Sequence, residues 1–372
     1  MKKIVIVTSV EQTLNAFFLN HLKFLKKKFR ITLISNFNKD IREDLKEFKL
    51  ININFSRKIN FFSDIINFFN LSYKLFIINP NLLLSVTPKV GLFCSILSFF
   101  LRIQSVHYFT GQVWKNKKFP IKNIFIFFDK IIVFFSNRIL VDSFSQFNYL
   151  LINKINIKRK GSVLLKGSIS GVNLSKFYFS RKDRKDIRNK YNIGDEEIII
   201  IFLGRINKEK GILELIEYFN HISINNNFDE KIYLFLVGHQ DDDTLINYKR
   251  NNENIIYIEN NDYPEKFLSA SDIFCLPSKR EGFGTSVIEA SACNLPVICS
   301  NIYGLIDAVE DKQTGLLFNI EDKNDFAIKM KMLIENKGLR LQLGNAGRKR
   351  VEKYFDANKS SITLLNYLQE LI

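Results

Sequence analysis

The chain has 372 residues, too many for one ordinary hydrophobic core, and this length predicts two domains of similar size. Its composition, 46% hydrophobic and 25% charged, fits a globular protein and excludes a disordered or fibrous one. The net charge of +16 reflects either an AT-biased composition rich in Lys, Asn, Ile and Phe or an anionic partner. Because the basic residues mix with aromatic runs and form no localised motif or repeat, a membrane surface is the expected partner and nucleic acid is not.

The N-terminal run 1–8 is too short for a signal peptide, and apolar stretches such as 92–101 are shorter than a membrane span. The chain has four cysteines, Cys94, Cys275, Cys293 and Cys299. They lie in apolar segments without metal-ligand spacing, which predicts buried thiols in a reducing cytosol. We therefore expect a cytoplasmic protein.

Apolar strand-like runs alternate with helical patterns from the first residue, as in stacked βαβ units around a parallel sheet. The strands predicted in the first half are 4–7, 31–34, 51–55, 82–85, 104–107, 138–141 and 162–165, with helices at 14–28, 63–78, 89–101, 120–136 and 143–153. Ligands of open parallel sheets bind beyond the carboxyl ends of strands. That rule directs attention to 9–13, Thr87 and 107–112.

His107 is one of four histidines and ends the fifth predicted strand, just before a glycine turn. A structural histidine at a strand edge is one interpretation. Its position at a strand end favours the other, a role in an active site.

A charged run at 180–188 has the composition of a solvated helix face or linker, and we place the domain boundary there. Beyond it the predicted strands are 197–203, 232–237, 255–258, 273–276, 296–299 and 315–317, and the last helices are 322–336, 338–354 and 357–371. The run 197–203 is apolar throughout, which is typical of a strand buried on both faces.

The loop 204–211 leaves that strand and is bounded by glycines. Its Arg205 and Lys210 suit the binding of a diphosphate, because fixed cations at a strand end can neutralise phosphate oxygens. A solvated basic loop is the alternative.

The stretch 280–290 places Glu281 and Glu289 on either side of a Gly-Phe-Gly turn and a helix start. A helix beginning after a glycine turn offers unpaired N–H groups to an anion, and flanking carboxylates can accept sugar hydroxyls. The stretch also fits simpler interpretations: Ser286 with Glu289 forms a capping-box pattern, and Glu281 could be a solvated loop acid.

An Asp-x-Asp pair at 241–243 could bind a divalent cation. It also sits where a helix should start, and acids stabilise helix N-termini. We favour the helix and expect no required metal.

Taken together, the passages 204–211, 281–289 and 166–173 resemble family 4 retaining glycosyltransferases of the GT-B type over nearly the whole chain. The run 107–114 is similar to members from bacterial surface-polysaccharide clusters. The resemblance implies an α/β fold of two Rossmann-like domains with parallel sheets facing across a cleft. The implied domains are an acceptor domain at 1–180, a nucleotide-sugar domain at 181–355 and a helix at 356–372 that crosses back to the first domain.

The resemblance also implies roles for individual residues. The implied catalytic residues are Glu281, His107, Arg205 and Lys210. The implied donor-binding residues are Gly204, Arg205, Lys210, Gly282, Phe283, Gly284, Thr285, Ser286 and Glu289. Arg205 and Lys210 would neutralise the departing diphosphate in place of a metal, and Glu281 would hold hydroxyls of the sugar. Glu289 would hold the ribose, Thr285 and Ser286 the phosphates, and His107 would face the sugar from the first domain.

The implied reaction is the transfer of a hexose or N-acetylhexosamine from a UDP- or GDP-sugar, without a cofactor and with retained configuration. The implied acceptor is a lipid-linked saccharide on the cytoplasmic face of a bacterial membrane. Basic and aromatic segments at 22–29 and 113–135 could dock there, although the helix within 121–135 could equally be buried core. A GT-B epimerase and an inactive membrane-associated scaffold are the alternatives.

The chain departs from the family at 8–14, where many members carry a glycine-rich loop and this one has no glycine.

Overall fold

A computed structural model describes residues 1–38, 40–56, 60–225, 231–241, 252–259 and 262–372. The chain divides into two compact units, 1–171 with 357–372, and 172–356. The boundary therefore falls at 171/172 rather than at the predicted 180. The reason is that Val172 already pairs with the second unit: it bridges to Asp356, and its N–H donates to the carbonyl of Phe355 at 2.7 Å.

The first unit contains a seven-stranded sheet with parallel pairings, in the order β3-β2-β1-β4-β5-β6-β7. Its strands are β1 (Lys2–Val7), β2 (Phe29–Ser35), β3 (Lys49–Asn52), β4 (Leu82–Val86), β5 (Gln104–Phe109), β6 (Arg138–Val141) and β7 (Gly161–Ser162). Its helices up to this point are α1 (Glu11–Phe17), α2 (Leu19–Leu25), α3 (Glu43–Lys46), α4 (Phe61–Ile78), α5 (Pro88–Phe100), α6 (Ile121–Phe135) and α7 (Phe144–Ile152).

Helices cover both faces of this sheet. Successive side chains of β1 point to opposite faces, and all of them from Ile4 onward are apolar, so both faces must be buried. Ile4 and Ile6 point into a core layer that includes α1 and α2, whereas Val5 and Val7 point into a layer with α4 and α5. Each residue of β1 is buried from Ile4 onward. The sheet therefore separates two helix layers.

Three predicted elements of this unit differ from the structure. The helix expected at 14–28 is two helices, α1 and α2, that meet at Phe18. The strand expected at 51–55 ends at Asn52, because the chain turns where the Phe55 N–H donates to the carbonyl of Ile53 at 2.7 Å. The strand expected at 162–165 ends at Ser162, because Leu165 adopts a left-handed φ of 51° that no strand can contain.

The second unit contains a six-stranded parallel sheet in the order β10-β9-β8-β11-β12-β13. Its strands are β8 (Ile198–Leu203), β9 (Ile232–Val237), β10 (Ile255–Ile258), β11 (Ile273–Leu276), β12 (Val297–Ser300) and β13 (Gly315–Phe318). Its helices are α8 (Arg181–Lys190), α9 (Ile212–Asn225), α10 (Pro264–Ala270), α11 (Thr285–Ala292), α12 (Leu305–Ala308), α13 (Lys323–Glu335) and α14 (Lys337–Tyr354). The predicted burial of the 197–203 strand is confirmed, since β8 is buried from Ile198 to Phe202. All four cysteines are buried free thiols.

The charged run at 180–188 is not a simple linker, because it forms α8 and packs on the second unit. Ser180 caps the helix by accepting the N–H of Asp183 at 3.1 Å. Arg188 is buried and donates to Asp272 at 2.5 Å and to the carbonyl of Ala270 at 3.0 Å. The solvated-face interpretation therefore holds only for the outer side of α8.

The last helix, α15 (Ala357–Glu370), belongs to the first unit. Its Leu364 and Leu368 are fully buried in the core layer that contains Phe18. The Nδ2 of Asn20 donates to the carbonyl of Ala357 at 2.8 Å and fixes the start of the helix.

Candidate active site

The second sheet reverses its strand order at β8, which has β9 on one side and β11 on the other. The carboxyl ends of β8 and β11 lead into the loops 204–211 and 277–284. A reversal of strand order leaves a crevice at this edge of a parallel sheet, where ligands commonly bind. The two stretches that the sequence singled out thus leave adjacent strands.

Short contacts hold these two loops together. The N–H of Lys279 donates to the carbonyl of Glu209 at 2.9 Å, and the Nη2 of Arg280 pairs with the Glu209 carboxylate at 2.6 Å. Gly211 has a φ of 71°, and a Cβ there would lie 2.0 Å from the carbonyl oxygen of Pro277. Sequence reasoning missed Glu209, and the sequence offers no signal for a contact across 71 positions.

At the centre of the edge the ammonium group of Lys210 donates to the carboxylate of Glu281. Both side chains are largely buried. Asn207 supports this pair, because its Oδ1 accepts the backbone N–H of Lys210 at 3.1 Å. Its place three residues before Lys210 is that of a capping residue, a spacing that could have revealed it. Glu281 is therefore not a solvated loop acid.

Arg205 is about half exposed, and its Nη1 donates to Asp241 at 2.9 Å. The Nδ2 of Asn207 donates to the same carboxylate oxygen at 3.1 Å. Asp241 thus binds the loop after β8, an outcome that neither the metal nor the helix interpretation foresaw. The rest of the Asp-x-Asp pair and the helix expected there lie outside the described residues, and the described part holds no cluster of three His, Cys, Asp or Glu fit for a metal.

Helix α11 begins at Thr285, two residues earlier than a capping box of Ser286 and Glu289 would require. Its N-cap is Gly284, which has a left-handed φ of 84° and no side chain to cap the helix. A Cβ on Gly284 would lie 2.4 Å from the Cδ2 of Leu305, so glycine is needed for both reasons. Thr285 and Ser286 form the first turn, whose N–H groups have no partners within the helix. The capping-box interpretation is wrong.

Phe283 and Gly282 complete the turn as buried residues. The ring of Phe283 meets that of Phe355 edge to face at 5.2 Å, which anchors the turn in the core of the second unit. The loop that precedes α11 is therefore held from beneath by packing.

Glu289 lies further along α11 and is partly buried. Burial raises the pKa of its carboxyl to about 7, while Lys176 acts to lower it and Glu265 to raise it. Near neutral pH the group therefore exists in both its protonated and its ionised form.

His107 belongs to the first unit and lies inside β5, which continues to Phe109 instead of ending at the histidine. The ring is buried, and its Nδ1 lies 2.9 Å from the hydroxyl of Ser85 on the adjacent β4. Burial lowers the pKa of the imidazole to about 3, so the ring is neutral at physiological pH. A Cβ on Gly91 of α5 would lie 2.2 Å from the Cε1 of the ring, so the ring packs directly on this helix.

The glycine-free loop after β1 is a short turn joined by hydroxyl groups. The Oγ of Ser9 lies 2.7 Å from the Oγ1 of Thr87, and the Oγ1 of Thr8 lies 3.0 Å from the Oγ of Ser35. Glu11 opens α1 as a buried acid that accepts the N–H of Asn38 at 3.0 Å. The turn after β1 is thus built from hydroxyls and one buried carboxylate, without glycine.

A protein-family model described as glycosyl transferases group 1 matches residues 183–350. This range contains both loops, the Lys210–Glu281 pair and α11. These residues are therefore similar to group 1 glycosyltransferases. The resemblance to glycosyltransferases stated from the sequence is thereby confirmed, and the matched range covers most of the second unit.

Relatives extend the likeness beyond the group 1 domain. The capsular polysaccharide biosynthesis glycosyltransferase CapM of Staphylococcus aureus is 29% identical over 90% of this chain and 89% of its own. A Campylobacter jejuni enzyme, N,N'-diacetylbacillosaminyl-diphospho-undecaprenol alpha-1,3-N-acetylgalactosaminyltransferase, is 29% identical over 46% of each chain. The structure of Anabaena HepE in complex with UDP-glucose matches with a TM-score of 0.81 at 13% identity over the whole of both chains, a likeness of fold. The predicted GT-B fold class, with two parallel-sheet α/β domains, is confirmed.

Proposed function

We propose that this chain transfers a hexose or N-acetylhexosamine from a UDP- or GDP-sugar to a lipid-linked saccharide during assembly of a bacterial surface polysaccharide. The observation that carries the proposal is the Lys210–Glu281 pair between the loops after β8 and β11, inside the range that matches group 1 glycosyltransferases. The names of the relatives support the polysaccharide, and the name of the Campylobacter jejuni enzyme supports the lipid diphosphate.

The chemistry of the donor explains why such a pair is useful. Breaking the bond between sugar and diphosphate leaves positive charge on the sugar and extra negative charge on the leaving group. Fixed cations and helix N–H groups directed at that leaving group lower the barrier most. In our proposal the resting Lys210–Glu281 pair opens on donor binding, so that Lys210 meets the diphosphate and Glu281 accepts sugar hydroxyls. No metal is then needed.

The remaining donor contacts follow from the positions of the side chains. Arg205 keeps guanidinium N–H groups beyond the one bound to Asp241, and these reach the same diphosphate. Thr285 and Ser286 donate to phosphate oxygens, the backbone of Gly204, Gly282, Phe283 and Gly284 lines the donor, and Glu289 accepts the ribose hydroxyls. His107, which is neutral and hydrogen-bonded to Ser85, would orient the sugar as a neutral group and cannot serve as a cation.

The test begins with purified protein and a panel of nucleotide sugars, scored by thermal shift. The donor that raises the melting temperature is then incubated with lipid-linked acceptors extracted from membranes, with and without EDTA. We expect saccharide transfer that is insensitive to EDTA. A dependence on divalent metal would remove the proposed role of Lys210 and Arg205 as its substitutes.

The stereochemistry of the product provides a second check. Because the described part of the chain places no second carboxylate as an evident nucleophile, we propose attack from the face that the diphosphate leaves, with retained configuration. NMR of the product reads this directly, and an inverted anomer would refute it. Release of free nucleotide in the absence of any acceptor would instead indicate an epimerase.

A further inference from the structure

Helix α4 of the first unit presents an apolar surface along its whole outer side. Its exposed large hydrophobic residues are Phe61, Phe62, Ile65, Ile66, Phe69, Tyr73, Phe76 and Ile77. The opposite side packs into the core through Leu71 and Leu75. A helix on the surface of a globular domain normally carries polar residues on its outer side, so this pattern requires a partner.

Neighbouring elements extend this surface. Phe99 and Phe100 end α5 as exposed residues, and Phe119, Ile121, Ile124, Phe127 and Phe134 are exposed on α6 and just before it. The interpretation of 121–135 as a buried core helix is therefore wrong, because α6 buries only Asp129, Ile132 and Val133.

The three helices form one continuous layer on the same side of the sheet. Lys89 in the first turn of α5 pairs with Asp64 in the first turn of α4 at 2.8 Å. At the other end of α5, the ring of Phe99 meets that of Phe135 of α6 at 5.1 Å. We call the exposed hydrophobic residues of α4, of the end of α5 and of Phe119 to Phe134 the phenylalanine face.

The charges around the phenylalanine face have one sign. The segments Phe61–Ile78 and 99–135 contain seven basic residues, Lys74, Arg102, Lys115, Lys117, Lys118, Lys122 and Lys130, against two acids. Both acids are satisfied inside the fold: Asp64 pairs with Lys89, and Asp129 accepts the indole N–H of Trp114 at 2.7 Å. The surface is thus apolar with basic residues around it.

We propose that the phenylalanine face docks on an anionic lipid bilayer, with α4 and α6 lying in the interfacial plane. Aromatic and aliphatic side chains with surrounding lysines match such a surface in both polarity and charge. The inference rests on the proposed function in one respect: it gives the lipid-linked acceptor a surface from which to reach the first unit.

Two other arrangements fit the same residues less well. α4 is long and apolar enough to cross a membrane by length and composition, but Leu71 and Leu75 tie it to the sheet core beside Leu83. A second copy of the chain would place the same face against itself in a two-fold dimer, bringing like charges together. An anionic bilayer neutralises them instead.

The segment 22–29, expected to share in docking, does not belong to this face. Its Leu22, Leu25 and Phe29 are buried in the core layer on the other side of the sheet. The segment exposes Lys26, Lys27 and Lys28, but it lacks the exposed apolar surface beside them that insertion into a membrane interface requires.

Flotation with vesicles tests the apolar component. Full-length protein is mixed with vesicles of phosphatidylglycerol and phosphatidylcholine, or of phosphatidylcholine alone. We expect wild-type protein to float with the anionic vesicles. The double variant F69S/F76S should bind them at least about tenfold more weakly, because each substitution removes the favourable transfer of a phenylalanine ring from water into the membrane interface. The matched control is I328S/L341S in the second unit, where both residues are 60% exposed, against 66% and 72% at Phe69 and Phe76. Equal loss in both double variants would overturn the proposal.

Charge reversal tests the electrostatic component. K117E/K118E should weaken binding to the anionic vesicles and reduce its sensitivity to salt, whereas K27E/K28E should change neither. If K27E/K28E weakens binding as much, net charge alone draws the protein to lipid and the phenylalanine face is not the docking surface.

Two further measurements separate the possible failures. Nucleotide binding in solution should be unchanged in F69S/F76S, because the phenylalanine face is not part of the proposed donor site. A wild-type protein that floats with vesicles but binds no nucleotide would refute the proposed function and leave the docking surface intact. A wild-type protein that does not float, but whose sedimentation shows a dimer abolished by F69S/F76S, would assign the face to a second copy and overturn the proposal.

Discussion

The two units share the same strand order around their first strand, but they carry different side chains at the carboxyl end of that strand. In each, the first strand is flanked by the second on one side and by the fourth on the other, as β1 lies between β2 and β4 and β8 between β9 and β11. At the first of these edges Ser9 and Thr87 exchange a hydroxyl hydrogen bond. At the second, Lys210 pairs with Glu281.

The difference separates two kinds of ligand chemistry. Cationic side chains can neutralise a diphosphate, whereas neutral hydroxyls and a neutral imidazole are suited to sugar hydroxyls. We therefore expect changes at the edge of the second unit to alter the departure of the nucleotide. Changes at the edge of the first unit should act on the sugar or the acceptor.

The largest expected effect is that of Lys210→Ala. Removing the proposed stabilising cation should lower kcat by about 10²- to 10³-fold, the range seen when one fixed transition-state donor is lost. Steady-state turnover with the identified donor measures it. The matched control is Lys208→Ala, an exposed lysine in the same turn, which should retain turnover close to that of the wild type. Comparable rates in the two variants would refute a diphosphate role for Lys210.

Gly91→Ala should produce the next effect, on the edge of the first unit. The new methyl group would overlap the ring of His107 and push it away from Ser85. We expect kcat to fall about tenfold with nucleotide binding unchanged, and overpacking to cost about 1–3 kcal/mol in the free energy of unfolding. Gly338→Ala, whose Cβ would meet only the end of the Asn336 side chain at 3.3 Å, is the control. Unchanged turnover in a folded G91A protein would show that the position of His107 does not matter.

Glu289→Gln should have a smaller effect that depends on pH. Since burial raises the pKa of Glu289 to about 7, its carboxylate form increases as the pH rises through neutrality. If that form accepts the ribose hydroxyls, nucleotide affinity of the wild type should rise about threefold over this range and stay flat in the variant. Calorimetric titration at several pH values measures it.

The same group also affects stability, with a defined sign. At pH values between the ordinary pKa of a glutamate and about 7, the Glu289 carboxyl is largely protonated in the folded chain. In the unfolded chain the same carboxyl has already lost its proton. The contribution of Glu289 to the free energy of unfolding therefore falls as pH rises through this window. Denaturation by urea at several pH values should show that this slope is smaller in the glutamine variant.

Ser9→Ala should have the smallest effect. It removes one hydroxyl from the pair with Thr87 and should cost about 1 kcal/mol in the free energy of unfolding, a typical net value for one hydrogen bond. Nucleotide binding should not change, because the residue belongs to the uncharged edge. Weaker nucleotide binding in this variant would contradict the division of chemistry between the two edges.

Much of the architecture could be predicted because local patterns determine it. The apolar run 198–203 is a strand buried on both faces, and the alternation of strands and helices led correctly to two parallel sheets. The sequence also singled out Lys210 and Glu281, because both follow strands in stretches whose glycines mark turns. These signals need only the neighbouring residues. The structure brings the two side chains into contact, and their role in donor binding stays a prediction.

The features that sequence reasoning missed depend on contacts between distant residues. Asp241 binds Arg205 across 36 positions, and Glu209 binds Arg280 across 71. The outer side of α4 was missed for a different reason: a helix that is apolar on every side has the composition of buried core, and only its packing reveals which side is covered. The neutral state of His107 likewise follows from burial that no local pattern reports.

The placement of α15 affects how the protein folds during synthesis. The ribosome completes the whole second unit before it makes the helix that fills the groove of the first, where Leu364 and Leu368 pack beside Phe18. Until then the nascent first unit exposes this groove and has no native segment to cover it. An N-terminal fragment ending near residue 171 would therefore be left with an exposed apolar surface of the kind that favours aggregation.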